Sequence, residues 1–172
     1  MRRQGLEIPA LALCAALLAS VATAATDRTA IAIFREWGAF REGPEAAPLR
    51  CYAIAEPPPN SANAGRGAFA SVASWPAKRI RTQIAIRLSH PTRDGGAVTL
   101  NIGDTAFPLM ARGQEAWAHD RRQDAAIVAA MRSGSSMSVS AVGANGNPFA
   151  DVYRLRGAAS AIDAAALACP LR

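Results

Sequence analysis

Aromatic residues are scarce in this chain: they make up 6% of its 172 residues. A core must therefore be assembled from alanine, valine, isoleucine and leucine, and it will be a thin one, because aromatic rings bring the largest buried area per residue. Lysine is scarcer still: Lys78 is the single lysine among 19 basic residues, and the rest are arginine. The two histidines, His90 and His119, lie far apart, and the three cysteines, Cys14, Cys51 and Cys169, form no CxxC pair. That leaves no zinc pattern, and no metal is expected. There is no GxSxG elbow, the usual mark of a serine hydrolase of the α/β type. The run from Gly143 to Gly146 is not followed by GK[ST], so it is not a phosphate loop. No internal repeat is visible, and no cofactor is expected.

What is present begins with the first residues. Arg2 and Arg3 make a positive start, Ile8 to Val21 is apolar, and Ala22-Thr23-Ala24 is a small-x-small cleavage site before Ala25. This layout is that of a secretory signal peptide. The apolar run is about 14 residues, against the ~20 that a spanning helix needs, and nothing later in the chain reaches that length. Cys14 raises the alternative of a lipoprotein, but Leu13 precedes it where such signals carry a small residue. The expected organisation is therefore a signal peptide over 1–24 and one domain over 25–172, periplasmic or secreted, with no transmembrane segment in the mature chain.

Export changes how the cysteines read. Two survive cleavage, Cys51 and Cys169, and an even pair in an oxidising compartment reads as a disulfide. Such a bridge closes a loop of more than about 100 residues, worth about 4–5 kcal/mol in the chain-entropy picture, with measured values more often about 2–4 kcal/mol. For a domain with a thin core that is a large share of net stability. The net charge is +6 for the whole chain and falls to +5 once Arg2, Arg3 and Glu7 are removed. The arginines are scattered, as high-GC coding would leave them. The functional alternative is attraction to anionic surfaces such as lipopolysaccharide or nucleic acid, with no specific nucleic acid implied.

Along the mature chain the hydrophobic period is mostly two. Ala25 to Ile33 reads as a frayed start, and Phe34 to Phe40 as the first strand, with Arg35, Trp37 and Ala39 on one side. Leu49 to Ala55 follows, with Cys51, Ala53 and Ala55 on one face. Pro57-Pro58-Pro59 stops it, and Asn60 to Gly67 reads as an exposed loop. Further strands are expected over Ala68 to Trp75, Thr82 to Ser89, Ala97 to Ile102, Thr105 to Ala111, Glu115 to His119, Ser136 to Val142 and Phe149 to Leu155. Gly103-Asp104, Arg112-Gly113-Gln114 and Asn145-Gly146 are the turn signals between them. Pro108 marks an edge or a bulge. The period changes over Asp120 to Arg132, where Ala126, Ile127, Ala130 and Met131 form a helical stripe behind an Asp120 N-cap. Ala158 to Ala168 is an alanine-rich helix that delivers Cys169 to the sheet. The sum is a mainly β chain: an antiparallel, immunoglobulin-like β-sandwich of about nine strands with two short helices in its C-terminal half.

Candidate sites are few. Trp75 followed by Lys78, Arg79 and Arg81 is the best basic patch with an aromatic neighbour. It reads either as a surface for an acidic partner or as the solvated start of a strand. Of Trp37, Trp75 and Trp117, at least two are expected in the core. His119 and Asp120, with Ser133, Ser135 or Ser136, would be the parts of an envelope hydrolase. Asp120 and Asp124 share a helix face, which capping and solvation already explain.

One family resemblance covers most of the mature chain. Trp37 followed by Arg50-Cys51-Tyr52-Ala53, then Asp124 to Gly134, then Val152-Tyr153-Arg154-Leu155-Arg156-Gly157 and an alanine-rich helix are similar to the motifs of the invasion-associated locus B proteins of alphaproteobacteria. Ala158 stands where an aromatic is usual, and the mid-chain cysteine pair of many members is absent. The resemblance implies an exported, non-enzymatic β-sandwich that binds an envelope or host protein. An arginine-rich module for polyanions is the other binding alternative.

Overall fold

The FREWGAF run does not make one strand. In the computed structural model, which describes residues 27–170, the chain reverses at Arg35-Glu36 between β1 (Arg28–Phe34) and β2 (Trp37–Glu42). Phe34 pairs with Trp37 across that turn. Arg35 takes φ 59°, a positive value of the kind tight hairpin turns use. Arginine and glutamate are not turn-forming residues, so the reversal leaves no compositional trace. The expected frayed start is a strand from Arg28 onward, and the sheet has ten strands rather than about nine. The signal segment and its cleavage site lie outside the described residues.

The other elements fall close to where the patterning puts them. They are β3 (Arg50–Ala55), β4 (Phe69–Trp75), β5 (Ile80–Arg87), β6 (Val98–Ile102), β7 (Thr105–Arg112), β8 (Glu115–Trp117), α1 (Arg121–Ser133), β9 (Ser136–Val142), β10 (Pro148–Arg154) and α2 (Ala158–Ala168). All ladders are antiparallel, in the order β1-β2-β3-β4-β5-β8-β7-β6-β9-β10. The result is a mainly β, sandwich-like fold. Strand β7 joins its two parts: Thr105 to Leu109 pair with β6, and Met110 to Arg112 pair with β8. Pro108 sits in the half of β7 that has a strand on one side only, where a missing N–H is tolerated.

One continuous core runs between the parts. Trp37, Ala39, Cys51, Ala53, Val72, Ile84, Ile86, Leu88, Leu100, Val139 and Tyr153 are all buried in it. The indole Nε1–H of Trp37 donates to the Arg154 carbonyl at 2.9 Å, tying β2 to β10. Helix α2 lies against β1 to β4 and buries Ala158, Ala161, Ile162 and Ala165. The sheet positions on that side include Ala39, Ala53, Ala55 and Ala70, all buried. Alanine on both surfaces lets helix and sheet approach closely, which is how a core poor in aromatics is filled.

Helix α1 is turned from the expected stripe. Ile127 and Met131 are buried as predicted, but Val128 and Asp124 join them and Ala126 is exposed. Asp124 is not a solvated carboxylate, because its Oδ1 accepts from the Ile84 backbone N–H at 2.8 Å. The helix is rolled to satisfy a strand N–H that would otherwise be buried without a partner. Desolvation raises the Asp124 carboxyl above its ordinary value, with the Ile84 bond opposing and the nearby Asp120 charge adding to it. The helix stops at Gly134, where a Cβ would meet Ile102 Cγ2 at 2.8 Å. Arg132 pairs with Asp163 in two hydrogen bonds of 3.1 and 2.6 Å, joining the two helices.

The chain ends as expected. Cys169 follows α2 and is bonded to Cys51, with Cα atoms 5.7 Å apart, and both residues are buried. The Asn60–Gly67 loop is mostly exposed, with one exception. Asn63 is buried and donates to the Ala150 carbonyl at 3.0 Å and to Asp151 Oδ1 at 2.9 Å.

Candidate binding surface

Because Cys51, Ala53 and Ala55 point into the core, Arg50, Tyr52 and Ile54 point to the opposite face of β3. The register sets Glu42 opposite Arg50 and Phe40 opposite Tyr52. On this side of the strand the Phe40 and Tyr52 rings stack with centroids 5.7 Å apart, Tyr52 itself buried under its neighbours. The Arg50 guanidinium lies 4.7 Å from the Tyr52 ring and 5.2 Å from the Trp75 ring. The Lys78 ammonium lies 4.8 Å from the same indole, and Arg28 lies 5.7 Å from Phe40. Cations and rings thus alternate across β1, β2, β3, β4 and the short 3-10 turn at Pro76–Lys78. Each such contact is worth about 0.5–1 kcal/mol when exposed and about 2 kcal/mol when desolvated.

Three further hydrogen bonds hold the band rigid. Glu42 accepts from Arg50 Nε and from a terminal Arg50 nitrogen, both at 2.7 Å. A lysine could not make that planar fork and stack at once. The hydrogen bond with Arg50 is the main reason the Glu42 carboxyl lies below its ordinary value, and the same bond raises Arg50. The Trp75 indole N–H donates to Gln83 Oε1 at 3.0 Å, which sets the plane of that ring.

Beside the band, the missing side chain of Gly38 leaves a hollow of about 360 Å³ lined by Ile33, Phe40 and Ile54, with Arg28, Glu36 and Glu56 around it. A Cβ at position 38 would come within 2.6 Å of Phe40 Cε2. The surface therefore offers cations, ring edges and one apolar recess.

Of the patch read from the sequence, Trp75 and Lys78 are brought together. Arg79 and Arg81 are exposed nearby, and among the described residues neither is stacked on a ring. Arg79 takes φ 51° at the end of the 3-10 turn. The larger part of the band, Arg28, Phe40, Arg50 and Tyr52, leaves no mark in the sequence, because it exists only once β2, β3 and β4 are in register. Of the tryptophans, Trp37 alone is fully buried. Trp75 is half-buried, and Trp117 is 37% exposed, so the expectation of two in the core is not met.

The hydrolase parts are not assembled into one site. Asp120 caps α1, its Oδ1 accepting from the Gln123 N–H at 2.8 Å. The backbone N–H of His119 donates to Gln123 Oε1 at 2.7 Å, completing a reciprocal cap. Ser133 is the last residue of α1, and Ser135 and Ser136 follow it, about 20 Å from the capped end. Among the described residues no three His, Cys, Asp or Glu side chains gather closely enough to hold a metal ion. No helix among them is long and apolar enough to cross a membrane. Compared with known proteins, the chain matches no family model, no curated protein and no solved structure.

Proposed function

We propose that this is an exported protein of the periplasm or cell exterior that acts by binding a partner and not by catalysis. Support for export comes from the signal-type N-terminus and from the buried Cys51–Cys169 bridge, which belongs to an oxidising compartment. The observation that carries the binding reading is the cation and ring band from Arg28 to Lys78 on the outer face of the first four strands. Arg, Trp and Tyr are the residue types that dominate protein interfaces. Arg50 and Trp75 are held here by hydrogen bonds before any partner arrives, and Tyr52 is packed beneath Arg50, so little ordering cost is left for association. The resemblance to invasion-associated locus B proteins rests on the short motifs given above and points to the same kind of function, with an envelope or host protein as partner.

The test is capture from the bacterial envelope fraction and from host-cell extract with the mature chain, beside Trp75→Ala/Lys78→Ala. A partner held by the native chain and lost by the variant supports the reading. Equal capture by both removes this surface from it. Exposed Arg79 and Arg81 beside the band favour one second reading, a site for acidic polymers. In that case binding falls steeply with salt, whereas a protein interface with an apolar centre is much less sensitive.

A further inference from the structure

The opposite end of the β3 to β5 strands carries a separate pocket of about 480 Å³, walled by the Asn60–Gly67 loop, His90 and the β9–β10 turn. Its polar lining is Asn63, Arg66, His90, Asn145 and Asn147, and its apolar lining includes Phe149. Among the described residues no carboxylate lines it.

The walls are fixed from beneath. Asp151 is fully buried; its Oδ1 receives Asn63 Nδ2–H at 2.9 Å and its Oδ2 receives the Ser89 N–H at 2.8 Å. One buried carboxylate thus clamps the loop and the end of β5 together. Ser89 Oγ and His90 Nδ1 are hydrogen-bonded at 2.9 Å, and the His90 ring lies 5.0 Å from Phe149. On the third side, the Ala144 N–H donates to the Pro91 carbonyl at 2.9 Å and the Asn147 N–H to Asn145 Oδ1 at 3.0 Å.

The lining selects a ligand class. Asn63 spends both side-chain N–H groups on the Ala150 carbonyl and Asp151 and keeps its oxygen as an acceptor, Asn145 keeps its N–H donors while its oxygen takes the Asn147 N–H, and with Asn147 they present donors and acceptors, which matches the hydroxyl group, itself both. A guanidinium with no carboxylate beside it suits a carboxylate on the ligand. An aromatic ring at the wall suits the apolar C–H face of a pyranose. We propose that this pocket binds an acidic sugar unit of the hexuronate type, with Arg66 on its carboxylate, the asparagines and His90 on its hydroxyls, and Phe149 against its ring. This site is independent of the cation and ring band, and Trp75→Ala leaves it intact.

The experiment is titration of the mature chain with glucuronate or galacturonate, followed by amide NMR or calorimetry, beside methyl glucoside and acetate as part-ligands. Uronate binding in the millimolar range or tighter is expected, at least about tenfold tighter than either part-ligand, since each lacks one half of the recognised chemistry. Arg66 is exposed, so Arg66→Ala leaves the fold intact by its melting temperature. It weakens uronate about tenfold, the order expected for one charge-assisted bond, and leaves methyl glucoside unchanged. Asn147→Ala weakens both sugars and leaves acetate unchanged. The proposal is overturned if uronate does not bind, if acetate binds as well as uronate, or if Arg66→Ala binds uronate as the native chain does.

Discussion

The bridge between Cys51 and Cys169 spans 118 positions. The unfolded chain loses that much freedom when cross-linked, which amounts to about 5 kcal/mol in the loop-entropy picture and about 2–4 kcal/mol as such bonds are commonly measured. Its place in the fold makes the consequence larger for one element. Helix α2 starts at Gly157 with no side-chain cap, and three of the four side chains it buries are alanines. Each buried methyl contributes only about 0.8 kcal/mol, while each ordered residue costs about 1–2 kcal/mol of backbone entropy. The helix is therefore held down at its far end by a covalent bond more than by packing. The perturbation is Cys51→Ala/Cys169→Ala, compared with the native chain with and without reductant. A domain of this size loses roughly 3 °C of melting temperature per kcal/mol, so a loss of about 2–4 kcal/mol drops the native chain about 6–12 °C on reduction. The double variant melts at the reduced value and is indifferent to reductant. Hydrogen exchange then shows the last turns of α2 opening first. A difference under about 3 °C, or α2 amides as protected in the variant as in the native chain, refutes the reasoning.

Three other outcomes follow from the geometry. The Glu42 carboxyl lies below its ordinary 4.5, so its pairing with Arg50 stabilises the fold above that pH and is lost as pH falls through the lower folded value; Glu42→Gln costs about 1–2 kcal/mol at neutral pH and nothing once the acid is protonated, and a constant gap in denaturant titrations across pH refutes it. Gly157 has φ 90° and its Cβ would run into the Phe34 carbonyl oxygen, so Gly157→Ala costs about 2 kcal/mol or more; Gly157→Asn, which tolerates the dihedral, is no better, and rescue by asparagine in chemical denaturation shows that the contact is not the cause. Trp37→Phe leaves the Arg154 carbonyl without its 2.9 Å donor and opens a gap in the core, for a loss of about 2–4 kcal/mol, read from the same measurement.

Much of this fold is visible before any coordinates. Alternation places β3, β5, β6 and β9, and in β5 and β9 alternate residues, Ile84 and Ile86, and Met137, Val139 and Ala141, are buried. A capping aspartate opens α1 and a glycine follows it, and the even cysteine pair left after the expected cleavage gives the bridge that is found. These readings succeed because strand period, helix capping and redox chemistry are local or compositional properties. The burial of Asp124 and the clamp at Asp151 stay hidden, since each depends on a backbone N–H supplied by a distant segment, and the hairpin at Arg35-Glu36 stays hidden because neither residue is a turn former. Tertiary structure alone sets the order β5-β8-β7-β6-β9 and the sharing of β7 between two neighbours. It alone aligns Arg50, spaced by one residue from Tyr52, with Trp75 from another strand and Lys78 beyond it. Pairing in register is a property of neighbours in space, and a chain read along its length carries no record of which neighbour it will have.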